Sequence, residues 1–261
     1  MVHTPAEIEI AQSLECDPAL LPFLPYLLQD IEELGGMTTY LYSVLASPEL
    51  PSGSTVLDLG CGKGVISCEI AKRFGWSVHG VDLFDPFIEN ARQRARDKGV
   101  ESLCRFEHGN ARDAVKNVSP VDVLVLFSVG RLFGTIHDTV GELRKAVKPQ
   151  GHLAIEEMYL APGVTGPTRL YGECLDKDTT LRQLTAHGDR IVDWREYPPA
   201  EIAGWNKWAL QCMEQRTGEL LKEHPELECL LHDYNEMQRQ CCEVLDTELI
   251  GGVWLLERAP N

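Results

Sequence analysis

Three glycines at alternate positions follow an apolar run in Val56-Leu57-Asp58-Leu59-Gly60-Cys61-Gly62-Lys63-Gly64. Glycine is required where backbone turns tightly or must approach a ligand closely. The N–H groups that open the next helix then face that ligand. Asp58 adds a carboxylate at the end of the run, which suits an ammonium group and repels a pyrophosphate. A dinucleotide loop reads G-x-G-x-x-G. Here Val65 and Ser67 stand where the third glycine belongs in the two possible registers. A second group with chemical capacity is Glu156-Glu157, a pair able to take a proton or to hold a cation. Strand alternation turns one of the two toward a pocket and the other away. The competing reading leaves both solvated or paired with Lys or Arg.

These residues need elements to carry them. Short β-rich runs at 54–59, 77–81, 103–107, 121–127 and 151–156 alternate with helix-like stretches near 64–74, 85–98 and 135–147. Such alternation, with strands apolar over most of their length, predicts a parallel sheet covered on both faces. A helix near 177–187 and strands near 190–196 and 249–256 follow. Residues 5–48 read as helical, with Leu20, Leu21, Leu24, Leu27, Leu28 and Ile31 at helical spacing and a break at Gly35-Gly36. Residues 200–246 read as two long helices, the second beginning at Pro225.

The loop at 58–64 resembles the first motif of the class I S-adenosylmethionine-dependent methyltransferases, D-x-G-x-G-x-G, and matches it in full. The resemblance extends to Val78-His79-Gly80-Val81-Asp82, Gly109-Asn110-Ala111 and Leu143–Gly151. It covers residues 54–160 well. It implies an α/β, Rossmann-like, seven-stranded and mostly parallel sheet with helices on both faces, in the order 3-2-1-4-5-7-6 with the last strand antiparallel. It implies S-adenosyl-L-methionine as the cofactor, no metal, and Asp82 holding both ribose hydroxyls. Asn110 stands where the family usually has Asp, accepting from the adenine amino group through its carbonyl oxygen. The cofactor-binding set is Asp58, Gly60, Cys61, Gly62, Gly64, Asp82, Leu83, Asn110, Ala111, Phe127 and Ser128.

In open α/β sheets, ligands bind beyond the carboxyl ends of the strands. That places an acceptor near Ser128–Arg131 and Glu156–Tyr159. Glu157 and Tyr159 are the catalytic candidates. Glu156, Arg131, Tyr42 and Trp205 are the substrate candidates, the two aromatics by cation–π attraction to an onium group.

The net charge of −16 is unevenly spread. Residues 1–52 carry eight acids and no Lys or Arg, residues 53–199 carry 20 acids and 19 bases, and residues 200–261 carry 12 acids and five bases. Binding nucleic acid requires a basic surface, so that partner is not expected. No apolar run spans a bilayer, so no membrane partner is expected. Nine cysteines at irregular spacings fit free thiols in a reducing, cytoplasmic setting. The expected organisation is an N-terminal helical cap segment at 1–52, a cofactor-binding core at 53–199, a helical insertion at 200–246 acting as a second cap, and a final antiparallel strand at 247–261. The expected function is direct SN2 transfer of a methyl group to a small-molecule substrate, neutral or cationic. The alternatives are a cofactor-binding regulatory protein without turnover, or a methyltransferase acting on a macromolecule.

Overall fold

The computed structural model describes residues 3–168, 170–171 and 173–260. The chain divides into two compact units. One comprises Glu33–Tyr159, Leu175–Tyr197 and Gly251–Asn261; the other comprises Met1–Glu32, Leu160–Cys174 and Pro198–Ile250.

The first unit holds the sheet. Its elements run α3 (Thr38–Leu45), β1 (Thr55–Leu59), α4 (Val65–Phe74), β2 (Ser77–Asp82), α5 (Asp85–Lys98), β3 (Cys104–His108), α6 (Ala111–Asn117), β4 (Val121–Leu126), α7 (Ile136–Leu143), β5 (Val147–Leu160), α8 (Lys177–Leu184), β6 (Arg190–Glu196) and β7 (Leu249–Glu257). The strand order is β3-β2-β1-β4-β5-β7-β6, as the resemblance implies. Strands β1 to β5 pair in parallel, and β6 pairs antiparallel with β7. Helix α4 packs against α5 and α7 against α8, and crossovers between parallel strands are right-handed as a rule. The central strands are apolar on both sides because both faces are covered: Leu57, Val123, Leu124, Val125, Leu153 and Ala154 are wholly buried.

Strand β5 begins at Val147, earlier than the apolar pattern indicates. Its register on β4 shifts between Val121 and Val123, and Gln150 takes φ +65. Pro149-Gln150-Gly151 is therefore an irregularity inside the strand edge, not a turn before it. Gly151 is needed there because a Cβ would lie 2.8 Å from the Asp122 carbonyl oxygen.

In the second unit the N-terminal stretch is broken into short pieces: α1 (Pro5–Ser13), a 3-10 turn at Pro18–Phe23, and α2 (Leu24–Leu27). Pro22 and Pro25 lack the N–H that a continuous helix requires, so the apolar spacing is realised in separate turns. Thr4 and Glu7 form a capping box on α1, and Asp17 caps the 3-10 turn. Two long helices, α9 (Pro199–Glu223) and α10 (Glu228–Thr247), occupy the stretch read as helical and pack against each other, the second starting after a 3-10 turn at Pro225–Leu227. Arg216 on α9 is bound through Nε and Nη2 to both Asp30 oxygens, at 2.6 and 2.8 Å, and Tyr26 donates to Glu219 at 2.7 Å. This unit carries 18 acidic and five basic residues, against 22 and 19 in the sheet unit. Among the described residues, no helix is long and apolar enough to cross a membrane.

One ion pair closes the far edge of the sheet unit. Asp189 has no exposed side-chain surface. It accepts from Arg144 Nε at 3.0 Å, Arg144 Nη2 at 2.9 Å and the Ala259 N–H at 2.9 Å. Removing one partner of a buried pair leaves the other desolvated and uncompensated. Asp189→Ala is expected to lower the stability of the sheet unit by about 3 kcal/mol. A urea midpoint equal to that of the wild type refutes this.

Candidate cofactor and acceptor site

The loop between β1 and α4 has Gly60, Gly62 and Gly64 at φ +69, +50 and +73, the left-handed region that favours glycine. The three do different work. A Cβ at Gly60 would lie 2.3 Å from Val129 Cγ2, and one at Gly64 would lie 2.6 Å from Ala91 Cβ. Those two glycines permit close packing. At Gly62 the nearest atom to such a Cβ is Leu34 Cδ1 at 3.5 Å, so the middle of the loop keeps an open face.

Two carboxylates lie near the loop, both close enough to Cys61 to add to the rise that burial gives its thiol. Asp82, at the end of β2, accepts from the Gly62 N–H through Oδ2 and from the Phe84 N–H through Oδ1, both at 2.8 Å. Each oxygen retains a lone pair for a further donor. Burial pushes the Asp82 carboxyl above its usual range, partly offset by those two N–H groups. Asp58 is 1% exposed and accepts from Ser67 Oγ at 2.5 Å. Burial raises it to about 7, with the Asp82 charge adding to the rise and the Ser67 hydroxyl opposing it. Two acids side by side under a glycine loop make an electronegative floor for a cationic group.

The other expected cofactor residues lie around the same strand ends. Asn110 caps α6, its side-chain oxygen accepting from the Arg112 N–H at 2.9 Å, and Ala111 is the first residue of that helix. The Asn110 oxygen thus serves the cap of α6. The Leu83 carbonyl contacts His108 Nε2 at 2.9 Å. Cys61 is buried, and burial holds its thiol well above the ordinary range, so it packs as a neutral group. Phe127 is buried and Ser128 is exposed, with Ser128 at φ +57.

The acceptor candidates separate into groups. Glu156 Oε2 accepts from the Ser128 N–H at 2.8 Å and from Ser128 Oγ at 2.9 Å, and Oε1 accepts from the Tyr197 hydroxyl at 2.8 Å. Glu157 points elsewhere, to Arg131 Nε at 3.1 Å and Nη2 at 3.3 Å. The neighbours therefore diverge, as strand alternation requires. Tyr159 donates to Glu196, which also receives Lys177 Nζ at 2.5 Å. Tyr42 stacks under the Arg73 guanidinium at 4.4 Å, in the last turn of α4, whereas the glycine loop opens its first. Trp205 belongs to the helical unit, its ring 6.5 Å from that of Trp208. Among the described residues, no cluster of three or more His, Cys, Asp or Glu is arranged to hold a metal.

Sequence reasoning did not single out Leu34, Gly36 or Tyr197 for this site, and it placed Val129 only within the Ser128–Arg131 stretch. A Cβ at Gly36 would meet Phe127 Cε1 at 2.2 Å and Glu156 Oε1 at 2.7 Å, so the 33–36 turn lies directly on the strand ends. The doubled glycine was the available signal, and it reads in sequence only as a helix break.

A mostly parallel sheet with this strand order, a glycine loop after β1 and an acid closing β2 define a nucleoside-binding methyltransferase fold. Residues 50–224, more than half of the chain, match the methyltransferase domain family, and the chain belongs to the class I S-adenosylmethionine-dependent methyltransferases. It is 34% identical over 131 residues to ribosomal protein L11 methyltransferase of Deinococcus radiodurans, covering 49% of this chain and 45% of that one. It is 31% identical over 160 residues to the uncharacterized protein YjhP of Escherichia coli, covering 60% and 64%. The chain thus spans between about half and two thirds of these relatives' length. A methyltransferase from Thiobacillus denitrificans, solved with S-adenosyl-L-homocysteine, shares the fold with a TM-score of 0.75 at 22% identity, over 90% of this chain and 98% of that one.

Hydrogen bonds to a charged group contribute about 1.5–3 kcal/mol each. Asp82→Ala is expected to weaken binding of S-adenosylhomocysteine by about that amount while the fold persists. Calorimetry showing unchanged affinity in a folded variant removes Asp82 from the site.

Proposed function

We propose that this chain binds S-adenosyl-L-methionine across Gly60–Gly64 and transfers its methyl group to a small-molecule acceptor, neutral or cationic. The observation that carries the reading is the joint placement of Asp58 and Asp82 around the open Gly62. The residues fit the group: each Asp82 oxygen, beside the main-chain N–H it already accepts, has a lone pair to accept from a ribose hydroxyl, and Asp58 supplies negative charge for an ammonium. Asn110 and Leu83 flank the position for adenine. When bound, the cofactor supplies a methyl group made electrophilic by a sulfonium. The remaining work falls to the chain's own residues and is mainly alignment, which contributes up to about 7–11 kcal/mol to lowering a barrier. Phe127 and Ser128 border the reacting region at the end of β4. Glu157, steadied by Arg131, is the group we assign to accept a proton from an acceptor that carries one, with Tyr159 two residues on. The excess of acid over base favours acceptors without negative charge. All nine cysteines are free thiols, which supports a reducing, cytoplasmic setting.

A macromolecular acceptor is the second reading, supported by the name of the ribosomal-protein relative. Incubating the protein with methyl-labelled cofactor and either a metabolite extract or a ribosomal fraction separates the two. Label in a small metabolite supports the first reading, and label confined to protein or RNA overturns it. Tighter binding of NAD than of S-adenosylhomocysteine overturns the cofactor assignment itself.

The Asp58 carboxyl gives this reading a pH signature. Its value of about 7 in the ligand-free protein means that it is protonated at lower pH. An ammonium-bearing ligand favours the ionised form, so binding releases a proton below about pH 7. Affinity for S-adenosylhomocysteine should fall as pH drops from 7 to 5, approaching about tenfold per pH unit. Calorimetry in two buffers of different ionisation enthalpy reads the proton directly. Asp58→Asn should abolish that release, and a wild-type affinity flat from pH 8 to 5 contradicts the assignment.

A further inference from the structure

Ser128 is a non-glycine residue held at φ +57. That conformation is sterically unfavourable for an L-residue, so something must hold it. Glu156 is in place to do so, receiving both the main-chain N–H and the hydroxyl of Ser128 on one oxygen. Its other oxygen receives the Tyr197 hydroxyl. Tyr197 is itself fixed, 4% exposed, its ring 5.5 Å from that of Tyr40 and its N–H donating to the Gly251 carbonyl at 2.9 Å. On the other side of Ser128, Val129 is packed on Gly60, close enough that a Cβ at Gly60 would overlap its Cγ2. These contacts form one continuous chain from Tyr197 through Glu156, Ser128 and Val129 to the cofactor loop.

We propose that Glu156 and Tyr197 are positioning residues: they hold Ser128 in the left-handed conformation that seats Val129 on Gly60, and so fix the wall of the cofactor site. On this account Glu156 does not touch the acceptor, and its hydrogen-bonding capacity matters while its charge does not. The 33–36 turn belongs to the same arrangement, because Gly36 lies against both Phe127 and Glu156, leaving no room for a side chain. The inference rests on the proposed cofactor site, but its test needs no acceptor.

The test measures S-adenosylhomocysteine affinity by calorimetry, with circular dichroism and thermal melting as controls for folding. Glu156→Ala should lose about tenfold in affinity as Ser128 relaxes. Glu156→Gln keeps an oxygen for Ser128 and an amide group for the Tyr197 hydroxyl, so it should stay within about twofold of the wild type. Tyr197→Phe removes one hydrogen bond and should lose about threefold. The discriminating variant is Ser128→Gly in the Glu156→Ala background. Glycine takes positive φ without the steric cost, so most of the lost affinity should return. A structural role for Glu156 unrelated to Ser128 gives no such recovery, and that result overturns the proposal. So does Glu156→Gln falling as far as Glu156→Ala, which would mark a direct charge contact with a ligand. If Glu156→Ala fails to fold, Tyr197→Phe alone and with Ser128→Gly carries the same comparison. A wild-type protein with no affinity for S-adenosylhomocysteine overturns the functional reading and this inference with it. Wild-type binding with unaltered variants overturns the inference alone.

Discussion

The site depends on a carboxylate bonding to main chain. Asp82 ends β2, and its oxygens take the N–H of Gly62 after β1 and that of Phe84 before α5. One side chain thereby locks the ends of two adjacent strands and the starts of two helices. The lock is possible because neither N–H has a partner within its own helix, as expected of groups just outside helix starts. It also explains the glycine between them: the middle of the loop must turn its N–H down toward the sheet and leave its other side bare.

The floor beneath is costly to maintain without a ligand. Burial raises both Asp58 and Asp82, and the Asp82 charge adds to the rise at Asp58. Such strain is tolerated where function requires it. The surrounding chain limits it with neutral donors, Ser67 on Asp58 and two main-chain N–H groups on Asp82, instead of with Lys or Arg. Lys63 lies within the loop, yet its ammonium sits 5.7 Å from the Phe87 ring centroid, drawn toward α5.

The sheet was largely legible in the sequence because buried parallel strands are apolar throughout, and glycine turns punctuate them. The strand order was not written in that periodicity; it followed from the resemblance at Asp58–Gly64, Asp82 and Asn110. Helix α6 escaped notice because only Val115 of its seven residues is buried, which leaves no periodic signal. The N-terminal stretch kept its apolar spacing but lost helical continuity to two prolines. The wall of the site was the least legible part. Tyr197 reaches Glu156 across 41 positions, and Val129 meets Gly60 across a turn of unusual backbone. Contacts of that range depend on tertiary packing, which a single sequence does not display.

The attachment of the α9–α10 pair has a consequence for how such chains diversify. Strands β6 and β7 are antiparallel neighbours, a relationship that a two-residue turn can satisfy. Here 53 residues separate Tyr197, just after β6, from Gly251, near the start of β7, yet the two are joined by a main-chain hydrogen bond. The ends are thus as close as those of a tight hairpin, and the sheet registers no difference between a short link and a long one. A position of this kind accepts replacement of one inserted segment by another of different length, because loop-closure cost grows only with the logarithm of length. Ancestry in this fold can therefore be conserved in the sheet while the segment between its last two strands is exchanged as a cassette.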